Sequence, residues 1–197
     1  MTPLCSFLIP SRFRFDRLKA LIESIHSASE PDHDFEIIVR LHDDDNDSIN
    51  GVAELSQWPR TRYIIGKTYD GYESLHIFTA ELLEAAVGEW AWHFNDDQLL
   101  EKGGIAWEPR LRSMPKNALV QPAIHRLNDS VYFNDAAGPA PCHANEPWVA
   151  EFLRSTGNPR VDTNLHAEFV RRGSPIVFLT GMGVNHQWNG LEAHAAA

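Results

Sequence analysis

A chain of 197 residues, 43% of them hydrophobic, can bury one sizeable core, and it carries a formal net charge of −10 with a pI near 5.4. That balance excludes an extended surface for nucleic acid or anionic lipid, although a local basic patch for a diphosphate remains possible. Cys5 and Cys142 show no metal spacing, so two reduced thiols in a cytoplasmic protein are expected rather than a disulfide framework.

Residues 4–9 form a continuous apolar run before Pro10, which suits a fully buried parallel strand; the run is too short, and lacks the basic leader, for a signal peptide or membrane span. Leu18, Leu21, Ile22 and Ile25 then recur at helical spacing, and the pattern stops before Pro31. Residues 35–41 read as a second strand that runs into the polar acidic loop 42–48. A short third strand is expected at 62–65, followed by a helix over 74–87 with Leu75, Phe78, Leu82 and Ala86 on one face and Gly88 at its end.

The fourth strand, 90–94, sets Trp90, Trp92 and Phe94 on one face and Ala91 and His93 on the other. It ends in Asn95, Asp96 and Asp97. An amide and two carboxylates at a strand's carboxyl end lie where an open α/β sheet exposes its ligand crevice, and their oxygens suit a hard divalent cation. Strand, helix and strand in succession imply right-handed crossovers and a mostly parallel sheet.

Beyond Asp97 the pattern loosens. Gly103, Gly104 and a 107–111 stretch precede strands expected at 118–124 and 131–133, and residues 134–147 read as a long loop. Helices are expected at 147–155 and 162–172, then a core strand at 176–179 leading to a loop with Gly181, Gly183, Asn185 and His186. The tail 190–197 is expected to be disordered or foreign to the fold. The chain thus reads as one α/β domain, 1–189.

Four stretches carry a family resemblance: Phe7 to Arg12, the Glu36 strand running into Asp43, Asp44 and Asp45, Gly71 and Tyr72 before a helix, and His93 to Asp97. Their order resembles GT-A glycosyltransferases of the family 2 type over the first half of the chain. In the second half only Asp162 before a helix and Val184 to His186 match. The resemblance implies a Rossmann-type α/β/α sandwich with a nucleotide-binding half, 1–98, and a sugar and acceptor half, 99–189. It also implies transfer of a sugar from a nucleoside-diphosphate sugar, taken as a UDP-sugar, to an unknown saccharide or other hydroxyl acceptor.

The resemblance gives each matched residue a role. Asp97 and His186 would bind Mn2+ or Mg2+, which absorbs the charge building on the leaving diphosphate. A lone histidine is otherwise a surface or satisfied core residue. Asn95 stands where the family has Asp, so one charge is missing, but its amide can bond ribose or a metal-bound water; Asp96 would be an outer partner. Asp43 or Asp44 would accept from the base, Pro10 and Ser11 would line its pocket, Arg12 would reach phosphate, and Gly71 and Tyr72 would let backbone come close.

For inverting transfer Asp162 matches the general base, yet an Asp there also serves as a helix N-cap; Val161 precedes it where the family has Glu. Glu146 is a second candidate base. Trp107, Trp148 and Trp188 would either stack on a sugar or pack in the core. A nucleotidyltransferase would need a glycine-rich loop after the first strand, and a zinc hydrolase would need a second Cys near Cys142 and His143; neither is present. The alternative is a non-catalytic nucleotide-sugar or glycan-binding member of the fold.

Overall fold

The computed structural model describes residues 2–29, 34–101, 106–126, 131–132 and 140–186. The expectations placed on Pro31, Gly103, Gly104, Phe133, residues 134–139 of the expected loop, Trp188 and the tail lie outside these residues. The first half contains β1 (Cys5–Ser11), α1 (Phe15–Ala28), β2 (Phe35–His42), α2 (Asn46–Leu55), β3 (Thr61–Gly66), a 3-10 turn Gly71–Ser74, α3 (Leu75–Ala85) and β4 (Trp90–His93). The second half contains β5 (Gln98–Leu100), α4 (Trp107–Ser113), β6 (Leu119–Arg126), β7 (Val131–Tyr132), β8 (Cys142–Ala144), α5 (Pro147–Thr156), α6 (Val161–Arg171) and β9 (Ile176–His186).

All strands join one sheet in the order β3-β2-β1-β4-β8-β6-β9-β5, with β7 beside β6. The first four strands run parallel, as the alternating pattern requires. The antiparallel pairs belong to β4–β8, β8–β6, β6–β7 and β5–β9, while β6 and β9 are parallel. The apolar run of β1 is explained by burial on both faces. Phe7 and Ile9 pack with α1, Trp90, Trp92 and Trp107 on one side, and Leu8 packs with Ala91, α3, α5 and α6 on the other. The result is the α/β/α sandwich expected. Among the described residues no helix is long and apolar enough to cross a membrane.

Three local expectations are corrected. The acidic stretch after β2 is a turn followed by α2, because buried Asp45 caps that helix, accepting from Ser48 N–H at 3.1 Å. Residues 142–144 of the expected loop are β8, stitched between β4 and β6. The expected loop at Gly181, Gly183 and Asn185 is the far half of β9, where pairing to β6 on one edge and β5 on the other overrides glycine's weak strand preference.

Candidate functional site

Between β1 and β4 the strand order reverses, and an open α/β sheet presents its ligand crevice outside the carboxyl ends at such a point. A cleft opens there, lined by Pro10 at the end of β1, His93 and Asn95 at the end of β4, Tyr72 ahead of α3, and Val161 and Asp162 at the start of α6. Pro10, Tyr72, Asn95 and Asp162, picked from separate stretches of sequence, therefore share one cleft.

Next to it the exits of β1, β2 and β3 are laced together. Arg12 grips the Asp44 carboxylate with Nε at 3.3 Å and a terminal nitrogen at 2.5 Å. Thr68, after β3, donates its hydroxyl to Asp44 at 2.8 Å and its N–H to Asp43 at 2.7 Å. The Thr68 N–H holds the Asp43 carboxyl below its usual range, and Arg12 does the same for Asp44. Gly71 has φ +58°, a left-handed conformation natural to glycine, and sits against Arg12. Phe13 takes φ 56° with its ring exposed, its N–H held by Asp45 at 2.7 Å.

The three residues after β4 divide their work. Asp96 is 6% exposed and accepts from the Ser11 hydroxyl and from Arg14, each at 2.9 Å, so Ser11 and Asp96 clamp the exits of β1 and β4 together. Burial raises the Asp96 pKa, against the pull of Arg14 and Ser11. Asn95 is exposed, Asp97 is half-buried, and Gln98 closes the turn by accepting from Asn95 N–H at 2.9 Å. The backbone of His186, at the end of β9, pairs with Gln98, the residue after Asp97, so the backbones of the two residues expected at a metal run close together. Among the described residues no group of three or more His, Cys, Asp or Glu is arranged to enclose a metal. The donors at this turn, a carboxylate and an amide, are hard oxygens that fit Mg2+ or Mn2+ shared with water and phosphate.

Asp162 is the second residue of α6; the cap position belongs to Arg160, so the cap reading is corrected. Its Oδ1 accepts from Thr163 N–H at 2.8 Å, and as an acid in the first turn it suits the helix dipole. Glu146 is exposed at the cap position of α5. Trp107 is buried against Phe7 and Trp92, and Trp148 carries the Arg172 guanidinium 3.6 Å above its ring, so neither ring is offered to a sugar.

Beneath the cleft lies a contact between two histidines that no motif pairs. His93 and His143 meet through their Nε2 atoms at 2.7 Å, and His143 Nδ1 donates to the Ala144 carbonyl at 2.7 Å. Burial pushes His143 down to about 4 and His93 well below its ordinary value, and burial with Arg40 and Arg12 nearby takes His42 to about 4. A histidine depressed in the fold binds its proton more readily when unfolded. Its contribution to stability is complete above the unfolded value near 6.5 and is lost as pH falls toward 4. Calorimetric melting temperature is expected to hold between pH 8 and 7 and to fall between 6.5 and 5, before most carboxylates titrate; a flat profile over that window would contradict neutral burial of these rings.

Thr68 and Arg14 are site residues that sequence reading passed over, and His93 and His143 were read without a role at the site. A polar residue two positions beyond the end of β3 was the available signal for Thr68, and the inward face of β4 for His93. No family model matches this sequence, and no curated protein matches it. Its fold does match solved structures of S. aureus TarS. TarS 1–349 superposes with a TM-score of 0.66 at 12% identity, covering 93% of this chain and 60% of that one. TarS 1–349 in complex with UDP gives 0.66 at 10% identity over 92% and 60%. A longer TarS structure gives 0.68 at 10% identity over 93% of this chain and 36% of the other. The chain thus has the fold of these proteins and spans about three-fifths of TarS 1–349.

Proposed function

We propose that this chain is a nucleotide-sugar-dependent glycosyltransferase that binds a UDP-sugar across the carboxyl ends of β1 to β4 and passes the sugar to a hydroxyl acceptor. In this reading residues 1–98 hold the nucleotide and 99–189 the sugar and acceptor. The observation that carries it is the cleft at the β1/β4 reversal, where Asp162 from the second half meets Pro10, Tyr72 and Asn95 from the first. A UDP complex of a protein with the same fold supports the choice of nucleotide.

The base would lie by Asp43 and Asp44, with Arg12 and Gly71 beside it. Asp97, Asn95 and His186 would hold Mn2+ or Mg2+, whose charge neutralises the departing diphosphate. Asp162 would take the proton from the acceptor hydroxyl as its oxygen attacks the anomeric carbon and the bond to diphosphate breaks, which inverts the configuration. Asp96, Ser11 and Arg14 would hold the loops still.

Asp97→Ala is expected to abolish the manganese-dependent part of UDP affinity while the protein still folds, read as titration of UDP with and without manganese beside a melting curve. Unchanged UDP affinity in the presence of manganese would remove Asp97 from the metal site. A second reading, a binding protein without turnover, is favoured by Asn95 in place of an acid and Val161 ahead of Asp162. UDP-sugar binding without release of UDP in the presence of any acceptor would select it.

A further inference from the structure

The His93–His143 pair has a fixed direction. His143 Nδ1–H donates to the Ala144 carbonyl, so His143 Nε2 carries a lone pair and His93 must donate to it from Nε2. His93 Nδ1 is then a bare lone pair. It is buried and has no hydrogen-bond partner among the described residues, in a residue that is 7% exposed and lines the cleft beside Asn95 and Asp162. Buried acceptors are normally paired, and an unmet one in a polar cleft calls for a partner. Its chemistry restricts that partner. A neutral ring with a lone pair accepts from a hydroxyl and finds nothing to accept from an ionised phosphate, which has no proton.

We propose that His93 is a specificity residue of this cleft, accepting through Nδ1 a hydrogen bond from a hydroxyl of the bound nucleotide sugar, with His143 as the positioning residue that fixes its tautomer. This rests on the reading above and deepens it. The hydroxyl belongs either to the ribose or to the transferred sugar, and deoxy compounds separate the two.

The experiment is calorimetric binding of UDP, 2′-deoxy-UDP, UDP-glucose and UDP-glucose analogues each lacking one sugar hydroxyl, to the full chain and to His93→Phe, which keeps a flat ring. One deoxy compound is expected to bind the unaltered protein about tenfold more weakly than its parent, and that ratio should collapse toward one in the variant. Loss with 2′-deoxy-UDP assigns the ribose, and loss with a deoxyglucose compound the sugar. Equal ratios in both proteins would overturn the proposal, because a structural role weakens parent and deoxy compound alike. Should the variant fail to fold, the 15N resonance of His93 Nδ1 in the unaltered protein is to be followed: a shift on adding UDP-glucose but not the discriminating deoxy compound supports the bond, and no difference between them overturns it. Failure of every UDP compound to bind would overturn the function reading and this proposal together, whereas binding with unchanged ratios overturns this proposal alone.

Discussion

Asp162→Asn is expected to slow sugar transfer by roughly 10²- to 10⁴-fold, the usual contribution of a positioned general base, with UDP affinity and melting temperature unaltered. The substitution isolates basicity. The carboxylate sits in the first turn of α6, behind a cap position held by Arg160, and its Oδ1 accepts from Thr163 N–H. An asparagine keeps that acceptor and the shape of the side chain, so the helix start survives. Saturating-donor turnover read beside the UDP dissociation constant is decisive: loss confined to turnover identifies the base, while parallel losses of turnover and melting temperature identify a structural residue.

Glu81→Ala is expected to destabilise the fold by about 3 kcal/mol, the lower end of what removing one partner of a buried ion pair costs, because the Glu81 carboxylate is itself partly solvated. Arg40, on β2, is fully buried. Its Nε donates to Glu81 at 2.8 Å, a terminal nitrogen donates to the Lys67 carbonyl at 2.7 Å, and the guanidinium lies 4.0 Å over the Phe78 ring. Gly66 leaves it room, since a Cβ there would come within 2.5 Å of the guanidinium. Removing Glu81 strands a cation in the interior. The consequence reaches the site, because the Lys67 carbonyl begins the segment that carries Thr68, Gly71 and Tyr72. Urea unfolding should show the midpoint lowered with an unchanged slope. A loss below about 1 kcal/mol would show that the neighbouring ring and carbonyl suffice for the charge.

The parallel half of the fold was legible because its signals are local. The apolar run of β1 and the Leu18, Leu21, Ile22 and Ile25 stripe of α1 are wholly buried, and β1, β2 and β3 are each followed by a helix before the next strand. The second half is written in partners distant along the chain. β8 is three residues long and exists through its pairing with β4 and β6, and β5 through its pairing with β9. Helix α2 hid behind its acidic start and behind Gly51, which is required because a Cβ there would strike the Phe15 ring.

The site divides in the same way. Asn95 to Asp97 after a buried strand announced a carboxyl-end site, since the strand's own pattern locates its end. What each carboxylate faces did not follow from sequence. Asp96 is turned inward by Ser11 and Arg14, 85 and 82 residues away in the chain. The His93–His143 contact likewise spans 50 residues and no motif.

The measurement that tests the account most directly is calorimetric titration of this chain with UDP, UDP-sugars and the corresponding guanosine and cytidine diphosphates, with and without manganese. The account predicts saturable binding of UDP that strengthens with manganese and exceeds that of the other nucleotides. Absence of binding by every nucleotide, with the protein folded, would contradict it and leave the fold as the sole property shared with the TarS structures.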